Sequence, residues 1–295
     1  MSTRLSIPDT PLLLMGRPWD GYGDAIEAAR YVPLLSPHIG ARTLVVGSQL
    51  ARLFGGLGLS TLSYDALDMS GAQREIEALA DVLLLSNNNC GAPRLFRNPG
   101  WGHDPVTTPE MPYPINPASL WIDSRITLPP TDARRVGLCW SGASCRVGCA
   151  YSPRDLLPEH LAPLLRVSDL RFVALHYFDP IHRWVDHGPA LRNLPECRAR
   201  WVPSLTELGV TDWADTAGVV QQLDLVITTD TAIAHLAGSL GVRTWLLLCF
   251  AHDPRWGTGD TTPLYPTVRI FRQVKPGDWG SVIDRVRVAL EAFAK

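Results

Sequence analysis

Between Asp224 and Leu248 the sequence reads DLVITTDTAIAHLAGSLGVRTWLLL: an apolar run, a small-residue stretch with helical spacing, and a second apolar run. An apolar run followed by a helix and another apolar run is the pattern of a parallel sheet with helices on its faces. The pattern recurs along the chain. PLLLMG, RTLVVG and DVLLLS read as strands before residue 87, with helices over DAIEAARYVPLL, SQLARLFGGLG and AQREIEALA. After residue 132, RRVGLCWSG, LRFVALHY, DLVITT and RTWLLLC read as strands, and LPEHLAPLL, TDWADTAGVVQQL, DTAIAHLAGSLG and the C-terminal PGDWGSVIDRVRVALEAFAK as helices, the last with Asp278 as its N-cap. The class is α/β.

From Asn87 to about Pro130 the chain is dense in Pro, Gly and Asn, with no periodicity long enough for a regular element. The organisation that follows is an N-terminal half over 1–115 carrying a Pro/Gly-rich loop at 87–118, a linker at 116–132, and a C-terminal half over 133–295. A chain of 295 residues with 46% hydrophobic residues buries enough surface for two such domains. In open α/β sheets, ligands bind beyond the carboxyl ends of the strands where the strand order switches, so the loops after the strands carry the candidate residues.

Bulk properties exclude several function classes. The net charge of −2 and the lack of Lys/Arg runs offer no surface for a nucleic acid backbone. No segment approaches the length of a membrane span, and the N-terminal apolar stretch is too short for a signal sequence, so the expected location is cytoplasmic. The six cysteines do not read as a disulfide framework, and Cys139 and Cys249 lie in apolar runs as small hydrophobes. Cys145 and Cys149 lack a second pair at ligand spacing, so no metal site is expected.

Four stretches carry candidate chemistry. In VITTDTAIAHLAG, Asp230 can cap the helix, and the first N–H groups of that helix, from Thr231 and Ala232 onward, form an anion site. A capped helix without a ligand fits this segment equally well. His235, one turn beyond Thr231, reads as a core histidine when taken alone. In MGRPWDGYGDAIEAAR, Asp24 opens a helix, either as its N-cap or as a carboxylate able to take a proton from a hydroxyl. In GLCWSGASCRVGCAYSPRD, Ser141 and Gly142 follow a strand, and Arg146 and Arg154 have the fork that suits a diphosphate. In CFAHDPRWGTGDTTPLYP, Asp253, Arg255 and Trp256, with His252 and Tyr265, form a loop of substrate-facing composition.

Taken together, WADTAGVVQQLDLVITTDTAIAHLAGSLGVRTWLLL, DPRW, YPTVRIFRQ, VGLCWSG and GYGDAIEAARYVPLL resemble glycosyltransferase family 9, the group that includes the lipopolysaccharide heptosyltransferases. They look closest to the branch often found behind bacterial tetratricopeptide repeats. The resemblance implies a GT-B architecture, with two Rossmann-like domains and a cleft between them. It also implies inverting, metal-independent transfer from a nucleotide-sugar, which is a substrate rather than a cofactor, to a hydroxyl of a bacterial glycan or protein. It assigns Asp230, Thr231 and Ala232 to the donor diphosphate, and His235 to the same motif's cleft-facing helix. Asp24 falls at the family's catalytic carboxylate, and Arg154 near a phosphate-binding lysine of some members. A non-catalytic nucleotide-sugar binder and a GT-B sugar-nucleotide epimerase or hydrolase are the alternatives.

Overall fold

The computed structural model describes residues 12–15, 21–32, 43–63, 82–85, 94–97, 125–142, 152–176, 188–191, 193–198 and 202–295. These fall into two compact units, 12–97 and 125–295. The expected helix over AQREIEALA and the region 98–124 lie outside the described residues.

The first unit is a five-stranded sheet. Its strands are β1 (Leu12–Met15), β2 (Thr43–Val46), β3 (Ser60–Ser63), β4 (Val82–Leu85) and β5 (Arg94–Arg97), in the order β3-β2-β1-β4-β5. The first four are mutually parallel, and β5 pairs antiparallel with β4. All four residues of β2 are buried, as expected for a parallel strand covered on both faces. Helix α1 (Tyr22–Ala28) tightens into a 3-10 turn over Ala29–Tyr31, and α2 (Ser48–Phe54) follows β2 directly. Ile26, Val32, Leu50, Leu53 and Phe54 join β2 in the core. Gly58, at φ 78, makes the left-handed turn into β3. Two strands depart from the sequence reading. Ser60–Ser63 carries no apolar run, and Arg94–Arg97 lies inside the stretch expected to be irregular. β5 is a short edge strand, and a strand with one neighbour needs no long apolar run to mark it.

The second unit is a five-stranded parallel sheet in the order β10-β9-β8-β6-β7. Its strands are β6 (Arg134–Cys139), β7 (Leu170–Ala174), β8 (Leu225–Thr229), β9 (Thr244–Leu248) and β10 (Val268–Arg272). Between β6 and β7 lie a 3-10 turn (Pro158–Leu161) and α3 (Ala162–Leu165); the segment read as one helix is a 3-10 turn opened by Pro158 that passes into a single α-turn, where Pro163 has no N–H to give. Two single-turn helices, α4 (Gly188–Leu191) and α5 (Pro195–Arg198), precede α6 (Trp213–Gln221). Helix α7 (Ala232–Ser239) connects β8 to β9, and α8 (Trp279–Ala294) closes the chain. Asp278 caps α8 by accepting from Ser281 N at 3.1 Å and Ser281 Oγ at 2.7 Å. Val282, Ile283, Val286, Leu290 and Phe293 of α8 pack into the main core with Leu164, Leu225, Trp245 and Phe271.

The described part of the expected linker is bound to this second unit. Gln222 accepts from Leu128 N at 2.9 Å and donates to Ile126 O at 2.9 Å, and Leu128 is buried. In each sheet the chain builds outward on one side of its first strand and then crosses to the other. Strands β1 and β4 flank the switch in the first sheet, and β6 and β8 flank it in the second.

Candidate functional site

At the switch of the second sheet, β6 and β8 end level, with Cys139 opposite Thr228. Two loops leave these ends and touch. A Cβ on Gly142 would lie 3.3 Å from Thr231 Cγ2, so only glycine lets the exit of β6 lie against the start of α7 without displacement. The Thr231 hydroxyl bonds to Thr228 Oγ1 at 2.9 Å and lies 3.6 Å from Cys139 Sγ.

That inward turn decides how α7 begins. Its N-cap is Thr231, not Asp230, and no side chain caps the helix because the Thr231 hydroxyl is directed at Thr228. The first amides of α7 therefore carry the positive end of the helix without a side-chain acceptor, while Thr231 and Ala232 remain partly exposed. Asp230 is half-buried beside them. Burial pushes its carboxyl above the usual value, the charge on Arg154, the indole N–H of Trp256 and the charge on Arg255 pull it back, and Asp253 pushes it up. The four charged side chains therefore share one electrostatic neighbourhood.

The loop after β9 supplies the last two. Asp253 caps the 3-10 turn Pro254–Trp256, accepting from Arg255 N at 2.9 Å, and pairs with Arg255 Nε at 3.2 Å. Arg272, at the end of β10, ties this loop down by donating to Trp256 O at 3.1 Å and Gly259 O at 2.9 Å. It also donates to His252 Nε2 at 2.6 Å. Because a guanidinium can only donate, Nε2 of His252 accepts and Nδ1 carries the proton.

One expectation for this region is corrected, and the reading of His235 as a core histidine holds. Trp256 does not face a substrate: it is fully buried and packs on His235 at 4.9 Å between ring centroids. His235 is likewise buried, with Nδ1 2.9 Å from Tyr265 Oη. The loop folds back under α7, so an aromatic that reads as surface becomes part of a small core with Ala234, Leu246 and Leu264. His235 and Trp256 form the floor under the site.

Ser141 and Arg154 stand at the other side of α7's start. Ser141 is 3% exposed, and its Oγ has no hydrogen-bond partner among the described residues. Gly142 is not a free amide donor, because its N–H is held by Asp155 Oδ1 at 3.2 Å. Trp140, behind it, donates its backbone N–H to His176 Nε2 at 3.4 Å and meets that ring edge-on at 4.2 Å. Arg154 is exposed, and Arg146 lies outside the described residues. In the first unit, Asp24 is partly exposed in the first turn of α1, but Gly21 is the N-cap. The nearest sequence signal for Asp155 was the SPRD turn, which shows nothing of a partner thirteen positions upstream.

Cys139 provides a test of this packing. Burial pushes its thiol up to about 11, against hydrogen bonds from Thr231 and Thr228. A raised value stabilises the native state fully below the unfolded value near ~8.5, and that contribution fades as pH rises through about 11. At pH 8 only about a thousandth of the thiol is ionised, so Cys139 should resist alkylation in the native protein and react on unfolding. Mapping the modified cysteines by mass spectrometry checks this.

Among the described residues, no group of three His, Cys, Asp or Glu side chains is placed to hold a metal ion. No described helix is long and apolar enough to cross a membrane.

No protein-family model matches the sequence, and no curated protein matches it. Solved structures match its fold. The E. coli heptosyltransferase WaaC with ADP aligns at TM-score 0.59 and 12% identity over 96% of this chain and 99% of that one. The E. coli ADP-heptose lps heptosyltransferase II aligns at 0.58 and 11% over 97% and 100%. A glycosyltransferase family 9 protein from Veillonella parvula DSM 2008 aligns at 0.56 and 13% over 99% of each chain. The likeness runs through both units. The chain has the α/β GT-B fold of these proteins.

Proposed function

We propose that this chain, built on the fold of the heptosyltransferases, is a glycosyltransferase that moves a sugar from a nucleotide-sugar to a hydroxyl acceptor on a bacterial glycan or protein. The observation that carries the reading is the uncapped start of α7 at the switch of the second sheet, beside a Ser141 hydroxyl with no partner among the described residues and within the field of Arg154. Helix amides and a guanidinium suit a diphosphate. The solved structures of the same fold include one described with ADP, which supports a nucleoside diphosphate as the ligand class.

In this reading the donor diphosphate sits on the amides following Thr231, with Ser141 and Arg154 donating to its oxygens. Asp24 takes the proton of the acceptor hydroxyl as that oxygen bonds to the anomeric carbon. The bond from that carbon to the phosphate oxygen breaks on the opposite face, so the configuration inverts and a nucleoside diphosphate leaves. The developing charge is stabilised by α7 and Arg154 without a metal ion, and turnover should persist in chelator. Nucleotide-sugars are cytoplasmic metabolites in this account, which places the protein there. Asp253 and Arg255 line the sugar side, and their ion pair sets the edge of that pocket.

The test is thermal stabilisation by ADP, UDP, GDP, dTDP and CMP, measured on wild type, Arg154→Ala and Thr231→Pro. A ligand at about 100 times its Kd adds roughly 2.7 kcal/mol to the native state. For a chain of this size that raises Tm by several degrees, on the order of 2–4 °C per kcal/mol. One nucleotide should stabilise wild type and lose its effect in folded variants. Equal stabilisation of all three proteins would remove the diphosphate from α7, and binding without transfer to any acceptor would favour a non-catalytic binder.

A further inference from the structure

We propose that Asp155 is a positioning residue of the donor site, fixing the strand exit that presents Ser141. The inference rests on the donor-site reading above. Asp155 is buried, and its two oxygens accept from two converging amides, Gly142 N at 3.2 Å and Ser152 N at 2.8 Å. Two backbone bonds flank this clamp: Asp155 N donates to Ser152 O at 2.9 Å, and Leu156 N donates to Trp140 O at 2.8 Å. Residues 140–142 and 152–156 are thereby stitched together around a single carboxylate.

The clamp separates two roles. The Gly142 amide is occupied by Asp155, so it is not spent on a ligand. The neighbouring Ser141 hydroxyl is buried and has no hydrogen-bond partner among the described residues, which leaves it able to donate to the diphosphate of the proposed site. Arg154 immediately precedes the clamp, and its charge reaches Asp230. The charge of Asp155 is felt at Cys139, inside the site, where it raises the thiol. A negative charge so placed opposes a bound anion, so the benefit of Asp155 to diphosphate binding is geometric. The geometry needs a carboxylate: an asparagine offers one carbonyl oxygen, and its NH2 would face one of the two amides donor to donor.

The test is the affinity of the full chain for inorganic diphosphate, a probe that does not depend on the nucleobase. It is measured by calorimetry for wild type, Asp155→Asn, Ser141→Ala and the double variant, with unliganded Tm recorded for each. Losing the charge-assisted clamp should weaken binding about tenfold, and Ser141→Ala should do the same. Because Asp155 acts through Ser141, the double variant should stay near tenfold rather than fall about a hundredfold. Asp155→Glu, which keeps both carboxylate oxygens but displaces them by one carbon, should be intermediate and serves if Asp155→Asn does not fold. A lowered Tm with unchanged affinity makes Asp155 merely structural and overturns the proposal, as does full additivity with Ser141→Ala. Wild type that binds neither diphosphate nor any nucleotide overturns the donor-site reading itself, and the proposal with it.

Discussion

Replacing Gly238 with alanine is expected to destabilise the protein by about 3 kcal/mol, at the upper end of overpacking costs. Gly238 lies in α7, and a Cβ there would sit 2.4 Å from Tyr265 Cγ and 2.8 Å from both Cδ atoms. The ring has little room to retreat. Tyr265 is 2% exposed, its hydroxyl is bonded to His235 on the same helix, and Trp256 packs beside both. Alanine gains about 1 kcal/mol over glycine in helix propensity, too little to offset a contact that short. At ~2–4 °C per kcal/mol, Tm should fall by roughly 6–12 °C. Chemical denaturation of the variant measures the loss directly. Pairing it with Tyr265→Leu, which replaces the planar ring with a smaller side chain, should recover part of it. A neutral Gly238→Ala would mean that Tyr265 does not lie across α7, and the floor of the site would have to be redrawn.

The second large effect is on turnover. If Asp24 takes the acceptor proton, Asp24→Asn should lower kcat by about 10²–10⁴-fold, the range for loss of a general base. Nucleotide affinity should not change, because the diphosphate ligands proposed here all lie in the second unit while Asp24 lies in α1 of the first. Donor titration followed by calorimetry, with initial rates at saturating donor, separates the two quantities. Asp24→Glu, which keeps the carboxylate but displaces it, should retain partial activity. Transfer at wild-type rate by Asp24→Asn would assign the base elsewhere and leave Asp24 as an ordinary first-turn acid of α1, where it favours the helix dipole.

Which elements were legible follows from how they are buried. β8 and β9 are covered on both faces, all five residues of each being buried, and so appear as continuous apolar runs. β3 and β5 are four-residue strands at the sheet edges, and STLS and RLFR have no run to recognise. At the candidate site, the strand-to-helix junction was visible because strand, small residues and helix are contiguous. Its cap was not, since Asp230 and Thr231 are both good caps; the helix starts after Thr231, whose hydroxyl turns back to Thr228 three residues earlier. His235 read as a core histidine, as it is, and had a site role only through the family resemblance. Trp256 read as a site residue because aromaticity in a charged loop is a local property, whereas its burial goes with the hold of Arg272 on that loop. Asp155 escaped for the same reason: its partner at Gly142 is fixed by the fold and not by spacing.

Arg272 also sets how freely the loop after β9 can be altered. It grips carbonyl oxygens at Trp256 and Gly259, and Asp260 O accepts from Ile270 N at 2.7 Å, so the path of the loop is written mainly in the backbone. Residues 258, 259 and 260 are exposed, and Gly257, at φ 65, is the member whose conformation demands glycine. A combinatorial library at 258–260 that leaves Gly257 and Arg272 untouched should therefore yield mostly folded proteins, giving directed evolution a place to recast the loop's chemistry without rebuilding its shape.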